Sequence, residues 1–301
     1  MKESLEEIQE RYKLSEEEHI RIQEDIIEMM LYGKTPVEEP KAIFDIAPPG
    51  SGKTGLNGYG VKQFSNNNII VINNDELKTF HPKADEISRL YPEYYIKVTN
   101  EASKVWTDAL MDRALEKGYN VIYEGTGRKI KIFEKMISKM NKYGYQIIVR
   151  AMAVHELNCL MSILERYEYQ VQRKGWGRLV AVDTFYKAYD DEMLDTIDIF
   201  ESLKEIYAVE VYKRGEEPSS PIKIYGNNDK DKRFQSARSA IKGGREEDKQ
   251  RAFECFIAHK MTMTEILKGK ELTEDEKSIL KKIQEVYYYI SNDILESNMF
   301  R

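Results

Sequence analysis

Ala42-Ile-Phe-Asp-Ile-Ala-Pro-Pro-Gly-Ser-Gly-Lys-Thr54 decides the fold. Its first five residues read as a short apolar strand, and a glycine-rich turn follows with no spacer. Residues 47–54 have the spacing of a phosphate-binding loop, with alanine in place of the usual first glycine. Gly50 and Gly52 let successive backbone N–H groups curl around phosphate oxygens. The helix starting there adds a partial positive charge. Lys53 can reach β- and γ-phosphates, and the Thr54 hydroxyl can ligate Mg²⁺. Pro49 and Ser51 complete the loop.

Working outward, strands and helices alternate. Residues 69–72 (Ile-Ile-Val-Ile) suit a strand buried on both faces. A helix is expected over 98–117, with Ala102, Val105, Trp106, Ala109 and Leu110 inward. A strand at 120–123, a helix at 130–143 and a strand at 146–154 follow. Helices at 155–170 and 183–206 come next, then strands at 208–213 and 222–225. This order predicts an α/β fold: a P-loop kinase-like parallel sheet flanked by helices, with added N-terminal and C-terminal helices.

Three parts are expected. Residues 1–41 form an acidic helical extension. Ser4 with Glu7 and Ser15 with Glu18 are capping-box patterns; Ile22, Ile26, Met29 and Met30 share one face, and Gly33 and Pro36 stop the helix. Residues 42–226 form the core. Residues 227–301 begin with a charged stretch to 250 and become helical over 251–298, where Thr273 with Glu276 repeats the capping pattern. This segment is expected to pack on the core or bind a partner.

Composition limits the function. The 301 residues are 41% hydrophobic and 33% charged, with a net charge of -6. Residues 1–41 hold twelve acidic and six basic side chains, so the other 260 balance. A neutral body lacks the basic face that nucleic-acid binding needs, which speaks against a polynucleotide kinase. No apolar run approaches a membrane span, and MKESLEEIQE lacks the apolar core of a secretory signal. Cys159 and Cys255 have no metal spacing and suit reduced thiols. The expected location is the cytoplasm.

A phosphate loop alone does not separate kinases, GTPases and motor ATPases. No guanine-reading Asn-Lys-x-Asp run is present. The later strands end instead in Asn73-Asn74-Asp75 and Glu124-Gly-Thr-Gly-Arg128, and small-molecule kinases put acceptor-activating acids at such ends.

Four stretches in order now resemble the zeta-toxin family of bacterial toxin–antitoxin systems. They are the loop 47–54, the run Ile72-Asn-Asn-Asp-Glu-Leu-Lys-Thr-Phe-His-Pro82, the run Glu124–Arg128, and Glu165-Arg-Tyr-Glu168 with Gly177-Arg178. The resemblance spans about residues 42–215. It implies a kinase that uses ATP and Mg²⁺ to phosphorylate the 3′-hydroxyl of the amino sugar in UDP-N-acetylglucosamine. Such a product blocks cell-wall precursor synthesis, and an epsilon-type antitoxin covers the ATP site. It implies Asp75 as general base, Lys53 and Thr54 as phosphate and metal residues, and Arg166 and Arg178 as γ-phosphate arginines. Arg173 competes with Arg178 for the second place. Glu124, Thr126 and Arg128 would line the sugar site, with Asp108 standing where the family has glutamate. Asn73 replaces an acidic residue, and residues 1–41 have no counterpart in stand-alone toxins.

Other readings stay open. The acceptor could be another UDP-sugar, a nicotinamide dinucleotide or an antibiotic, and a silent nucleotide-binding module is the non-enzymatic alternative. Asp75 could instead cap a helix, and Glu124 could orient Arg128. His81 is expected to stabilise its turn and His155 to be solvated, and Trp176 could cover adenine or move with a lid. Residues 1–41 are either a helical cap over the sheet edge or a cis-acting inhibitor whose Glu16, Glu17 or Glu18 competes with phosphates.

Overall fold

A computed structural model describes residues 3–217 and 219–299, so the outermost residues of the two flanking segments lie outside the described residues. The chain opens with α1 (Leu5–Arg11) and α2 (Glu16–Leu31). It continues through β1 (Lys41–Ile46), α3 (Lys53–Lys62), β2 (Ile70–Ile72), α4 (Asn74–Leu77), α5 (Ala84–Leu90), α6 (Tyr95–Glu116), β3 (Val121–Gly125) and α7 (Ile130–Lys142). Then come β4 (Gln146–Met152), α8 (Glu156–Lys174), α9 (Val182–Tyr189), α10 (Asp191–Ser202), β5 (Ile206–Lys213) and β6 (Ile222–Gly226). The chain closes with α11 (Ala237–Glu247), α12 (Lys249–Leu267) and α13 (Glu274–Met299).

One six-stranded sheet runs in the order β2-β3-β1-β4-β5-β6. Every pairing is parallel except β5 with β6. β1 sits between β3 and β4, with Asp45 beside Glu124 on one side and Arg150 on the other. Strand alternation sorts its side chains. Ala42, Phe44 and Ile46 enter the main core, where Phe44 meets Phe133 edge-on at 5.2 Å and stacks on Phe200 at 6.1 Å. Ile43 joins Ile69 and Ile122 on the other face.

Both N-terminal capping boxes form. α2 buries Ile22, Ile26 and Ile27 in the cluster that holds Trp106, while Met29 is 51% exposed. The buried stripe is thus rotated from the expected one. α6 shows the same effect. Ala102, Trp106 and Leu110 are spaced by one turn and buried, whereas Val105 lies a step off that line and is 47% exposed. α1 packs Ile8 on Ile87 of α5 and Val98 of α6. α1 and α2 therefore dress α5 and α6. No hydrogen bond or ion pair of Glu16, Glu17 or Glu18 among the described residues reaches Lys53, Arg166 or Arg178, and Glu18 is spent on its cap with Ser15.

The helix expected over 183–206 is two helices. Asp190 leaves the helical region (φ -90, ψ -118), and the second helix ends at Ser202 because Ile206 is drawn into the sheet opposite Ile147. The stretch 227–250 holds α11, which Ser236 and Ser239 cap reciprocally and which buries Ala237, Ala240 and Ile241. Small residues let this helix lie close to the sheet, so it carries no large apolar signal. No helix among the described residues is long and apolar enough to cross a membrane. Cys159 and Cys255 are both free.

Candidate active site

The phosphate loop follows β1 and leads into α3. Gly50 (φ +75) presses against α8: a Cβ there would lie 2.1 Å from the Cys159 carbonyl oxygen. Gly52 (φ +98) is the left-handed residue before α3, where only glycine fits freely. Pro49 is half-buried at the loop's edge. Ser51 is buried, and its hydroxyl donates to the Pro48 carbonyl at 2.7 Å. Lys53 folds back to donate to the carbonyls of Ala47 (2.9 Å) and Pro48 (3.1 Å). Thr54 is exposed at the first turn of α3. Two left-handed glycines at a helix N-terminus form a cradle that fits phosphate oxygens.

Asp75 stands on this side of the fold. Burial pulls the Lys53 ammonium below its ordinary pKa, Glu124 and Asp75 act against that, and Arg166 adds to it. Three charged groups, Glu124, Asp75 and Arg166, thus act on the loop lysine. The capping role is taken by Asn73, which accepts the Asp75 N–H at 2.9 Å and leaves the Asp75 carboxylate free of that duty. Asp75 instead accepts from Lys78 at 2.9 Å and from Arg178 at 3.1 Å. Partial burial raises its pKa, but Arg178 and Lys78 together outweigh this and hold the carboxyl below its ordinary range. Arg178 therefore lies at Asp75, whereas Arg173 donates to the Tyr169 hydroxyl at 2.6 Å and packs on that ring. Arg166 is exposed on α8.

Glu124 at the end of β3 accepts from Asn57 of α3 at 2.6 Å. Burial raises the Glu76 pKa, Glu124 adds to this and Arg166 acts against it. Burial raises the Tyr123 pKa, and the negative fields of Asp108 and Asp75 add to it. Asp108 is exposed on α6, and Thr126 is half-buried just past β3. Arg128 is held by Glu192 of α10 at 2.6 Å rather than by Glu124. Trp176 rests against Tyr95 at 5.7 Å, in the loop that carries Arg178.

Sequence reasoning missed several of these groups. Lys78 is buried within a quoted motif, but a lysine reads as solvated by default. Arg214, just past β5, donates to the carbonyl of Ser51 at 3.1 Å and to that of Gly50. Its place at a strand's carboxyl end was the available signal. His155, expected in solvent, is buried. Its Nδ1 caps α8 at the Leu157 N–H (3.2 Å), and its own N–H donates to Asp248 (2.9 Å). His81 does steady its turn: Nδ1 accepts from Lys83 N–H, and Nε2 lies 3.0 Å from the Tyr12 carbonyl of the N-terminal segment.

Beneath α3, Asp45 is wholly buried, and neither carboxylate oxygen has a hydrogen-bond partner. Burial pushes its carboxyl up to about 7, with Arg150 pulling back and Glu124 and Glu210 pushing on. Arg150 is shared with Gln63 and, at 3.5 Å, Glu210.

The chain is similar in sequence and fold to known proteins. The chain is 36% identical to Toxin zeta of Enterococcus hirae over 144 residues, which is 48% of this chain and 50% of that one. It is 26% identical to Toxin PezT of Streptococcus pneumoniae serotype 4 over 136 residues, covering 45% and 53%. The chain spans about half the length of the curated relatives it matches. In fold it is similar to the PezAT toxin–antitoxin system of Streptococcus pneumoniae (TM-score 0.66, 18% identity, 93% of this chain and 98% of that one). It is also similar to the AvrRxo1-ORF1:AvrRxo1-ORF2 complex (TM-score 0.58, 11% identity, 88% of each chain). The family model described as Zeta toxin matches residues 27–230, a span that takes in the phosphate loop, the Asp75 helix, the end of β3 and the arginine helix; the chain belongs to the zeta toxin family.

Proposed function

We propose that the chain is an ATP-dependent kinase that phosphorylates a hydroxyl of a nucleotide sugar, with the 3′-hydroxyl of UDP-N-acetylglucosamine as acceptor. The observation carrying this reading is that Asp75 and Glu124 both act on Lys53 of the phosphate loop while Arg178 donates to Asp75. In this reading Asp75 is the base, Lys53 the phosphate-binding ammonium and Arg178 a charge-balancing guanidinium.

Lys53 and the N–H groups of residues 50–54 would hold the phosphate tail, and Arg214 would keep the loop in shape through its two carbonyls. Thr54 would hold Mg²⁺, which keeps most of its water and binds through few protein oxygens. Bound there, the ion supplies charge neutralisation on the phosphate oxygens. Asp75 takes the proton of the acceptor hydroxyl as that oxygen bonds to the γ-phosphorus and the bond to ADP breaks. Arg166 and Arg178 balance charge on the transferring group. Arg178 leaves Asp75 for the stronger anion, and this frees the carboxylate to accept the proton. Glu124, Thr126, Arg128 and Asp108 hold the sugar, and release of Arg128 from Glu192 belongs to its binding.

Toxin zeta and PezT are named as toxins, and PezAT is a toxin–antitoxin system. These names support a toxin role for this chain and its restraint by an antitoxin protein; the proposal places its action in the cytoplasm, on cell-wall precursors. The test is mass spectrometry of a bacterial metabolite extract incubated with the protein, ATP and Mg²⁺. UDP-N-acetylglucosamine gaining one phosphate is expected. A phosphate on another metabolite moves the assignment to that acceptor, and ATP consumed with no new phosphometabolite refutes the kinase reading.

A further inference from the structure

α8 carries Arg166 toward the phosphate loop, and the rest of that helix is held from behind. Glu168 lies two residues on, about 200° around the helix, so it faces the opposite way. It is 3% exposed, and both its oxygens accept from Lys270 Nζ, at 2.8 and 3.0 Å. The same ammonium donates to Glu276 at 2.6 Å, itself wholly buried. Glu276 is fixed in turn by the N–H and hydroxyl of Thr273, each at 2.7 Å. The turn between α12 and α13 is thereby locked onto α8. At the other end of α8, Asp248 accepts from His155 N–H at 2.9 Å and from Asn158 at 3.0 Å. Arg251 of α12 donates to the carbonyls of Arg214 (2.9 Å) and Gly215 (2.8 Å), and Arg214 is the side chain that braces the phosphate loop. Lys270, Glu276, Asp248 and Arg251 all lie beyond residue 230, where the family match ends.

We propose that the C-terminal helices are a positioning module, in which the Lys270 clasp on Glu168 and Glu276 sets where α8 presents Arg166 to the transferring phosphate. Lys270 is a positioning residue, because it acts on the reaction only through α8. The proposal rests on the kinase reading above. Its physical basis is that one ammonium shared by two buried carboxylates fixes the clasp's geometry, and catalytic charges are sensitive to small displacements. A shift near 1 Å can lower a rate about 100-fold.

The test uses the full chain with Lys270→Met, Lys270→Arg and Glu168→Gln. Acceptor phosphorylation, ATP affinity and hydrogen exchange of residues 156–174 are measured on each. The expected result for Lys270→Met is a kcat lower by about 10- to 100-fold. Its KM for ATP stays near the wild-type value, and exchange quickens in the second half of α8. Lys270→Arg, which keeps the pairing, should recover most of the rate. Glu168→Gln, which leaves Lys270 on Glu276, should show a smaller loss of the same kind. A purely structural clasp would lower thermal stability but leave kcat of the folded enzyme and the arginine rescue unmoved, and that result overturns the proposal. If Lys270→Met does not fold, Glu168→Gln decides: unchanged kcat with unchanged α8 exchange overturns it. If the wild type phosphorylates no acceptor, the kinase reading fails. The clasp is then judged by exchange alone, and unchanged α8 protection in the variants ends it.

Discussion

Replacing Asp75 by Asn separates catalysis from stability. The Asp75–Arg178 pair is largely in water, with side chains 59% and 46% exposed, so its loss costs at most about 1 kcal/mol. Lys78 is buried but keeps the side-chain oxygen of Asn74 as an acceptor, which limits the total to about 1–2 kcal/mol. For a chain of this size that lowers Tm by roughly 2–3 °C. A missing general base costs about 10²–10⁴ in rate, or about 3–5 kcal/mol of barrier. The assay is initial-rate formation of phosphorylated acceptor, beside thermal melts and titration calorimetry with ATP. Asp75→Asn should melt within a few degrees of wild type, bind ATP as well or better, and turn over at or below about 1%. The stability difference has a sign in pH as well. Asp75 titrates below its ordinary range, so its contribution is present at neutral pH and fades as pH falls through that lowered value. A variant that melts like wild type and retains more than a few per cent of its turnover refutes the assignment of Asp75 as base.

Two further outcomes probe the frame around the site. Gly50→Ala drives a Cβ to 2.1 Å from a backbone carbonyl in a left-handed conformation that alone costs about 1–2 kcal/mol; ATP affinity should collapse and Tm fall, and an unchanged affinity refutes the packing of the loop on α8. Asp45 has its pKa raised from 3.8 to about 7, so the native state keeps a proton that the unfolded chain sheds. Stability should therefore decline as pH rises from about 4 to about 7 and level off above. Asp45→Asn should flatten that slope in urea melts across this range, and an identical slope in the variant contradicts the account.

The parts of this molecule that announce themselves in sequence are those where local physics and tertiary need coincide. The loop 47–54 is legible because only small residues turn there and only lysine reaches a phosphate. The capping boxes at Ser4 and Ser15 are legible because their bonds close within four residues. Distant partners are harder to read. Nothing near Arg128 announces Glu192, nothing near Glu168 announces Lys270, and the burial of His155 follows from Asp248, which arrives from the far end of the chain. α11 escaped because Ala237, Ala240 and Gly244 pack by being small, and periodicity is seen through large apolar residues. The break at Asp190 escaped for the opposite reason: apolar residues continue at helical spacing on both sides of it, from Phe185 to Ile197.

The strand order has a consequence for how the chain comes to be folded. β1 finds its neighbours far downstream, Ala42 beside Val121 and Lys41 beside Gln146, with no pairing to the strand that follows it in sequence. Closing such long loops before any contact rewards them slows the search for the native topology. During synthesis, therefore, the phosphate-loop segment lacks its neighbour on one side until β4 has left the ribosome. A chain arrested earlier would hold the complete phosphate-loop sequence and yet only part of the sheet on which to set it.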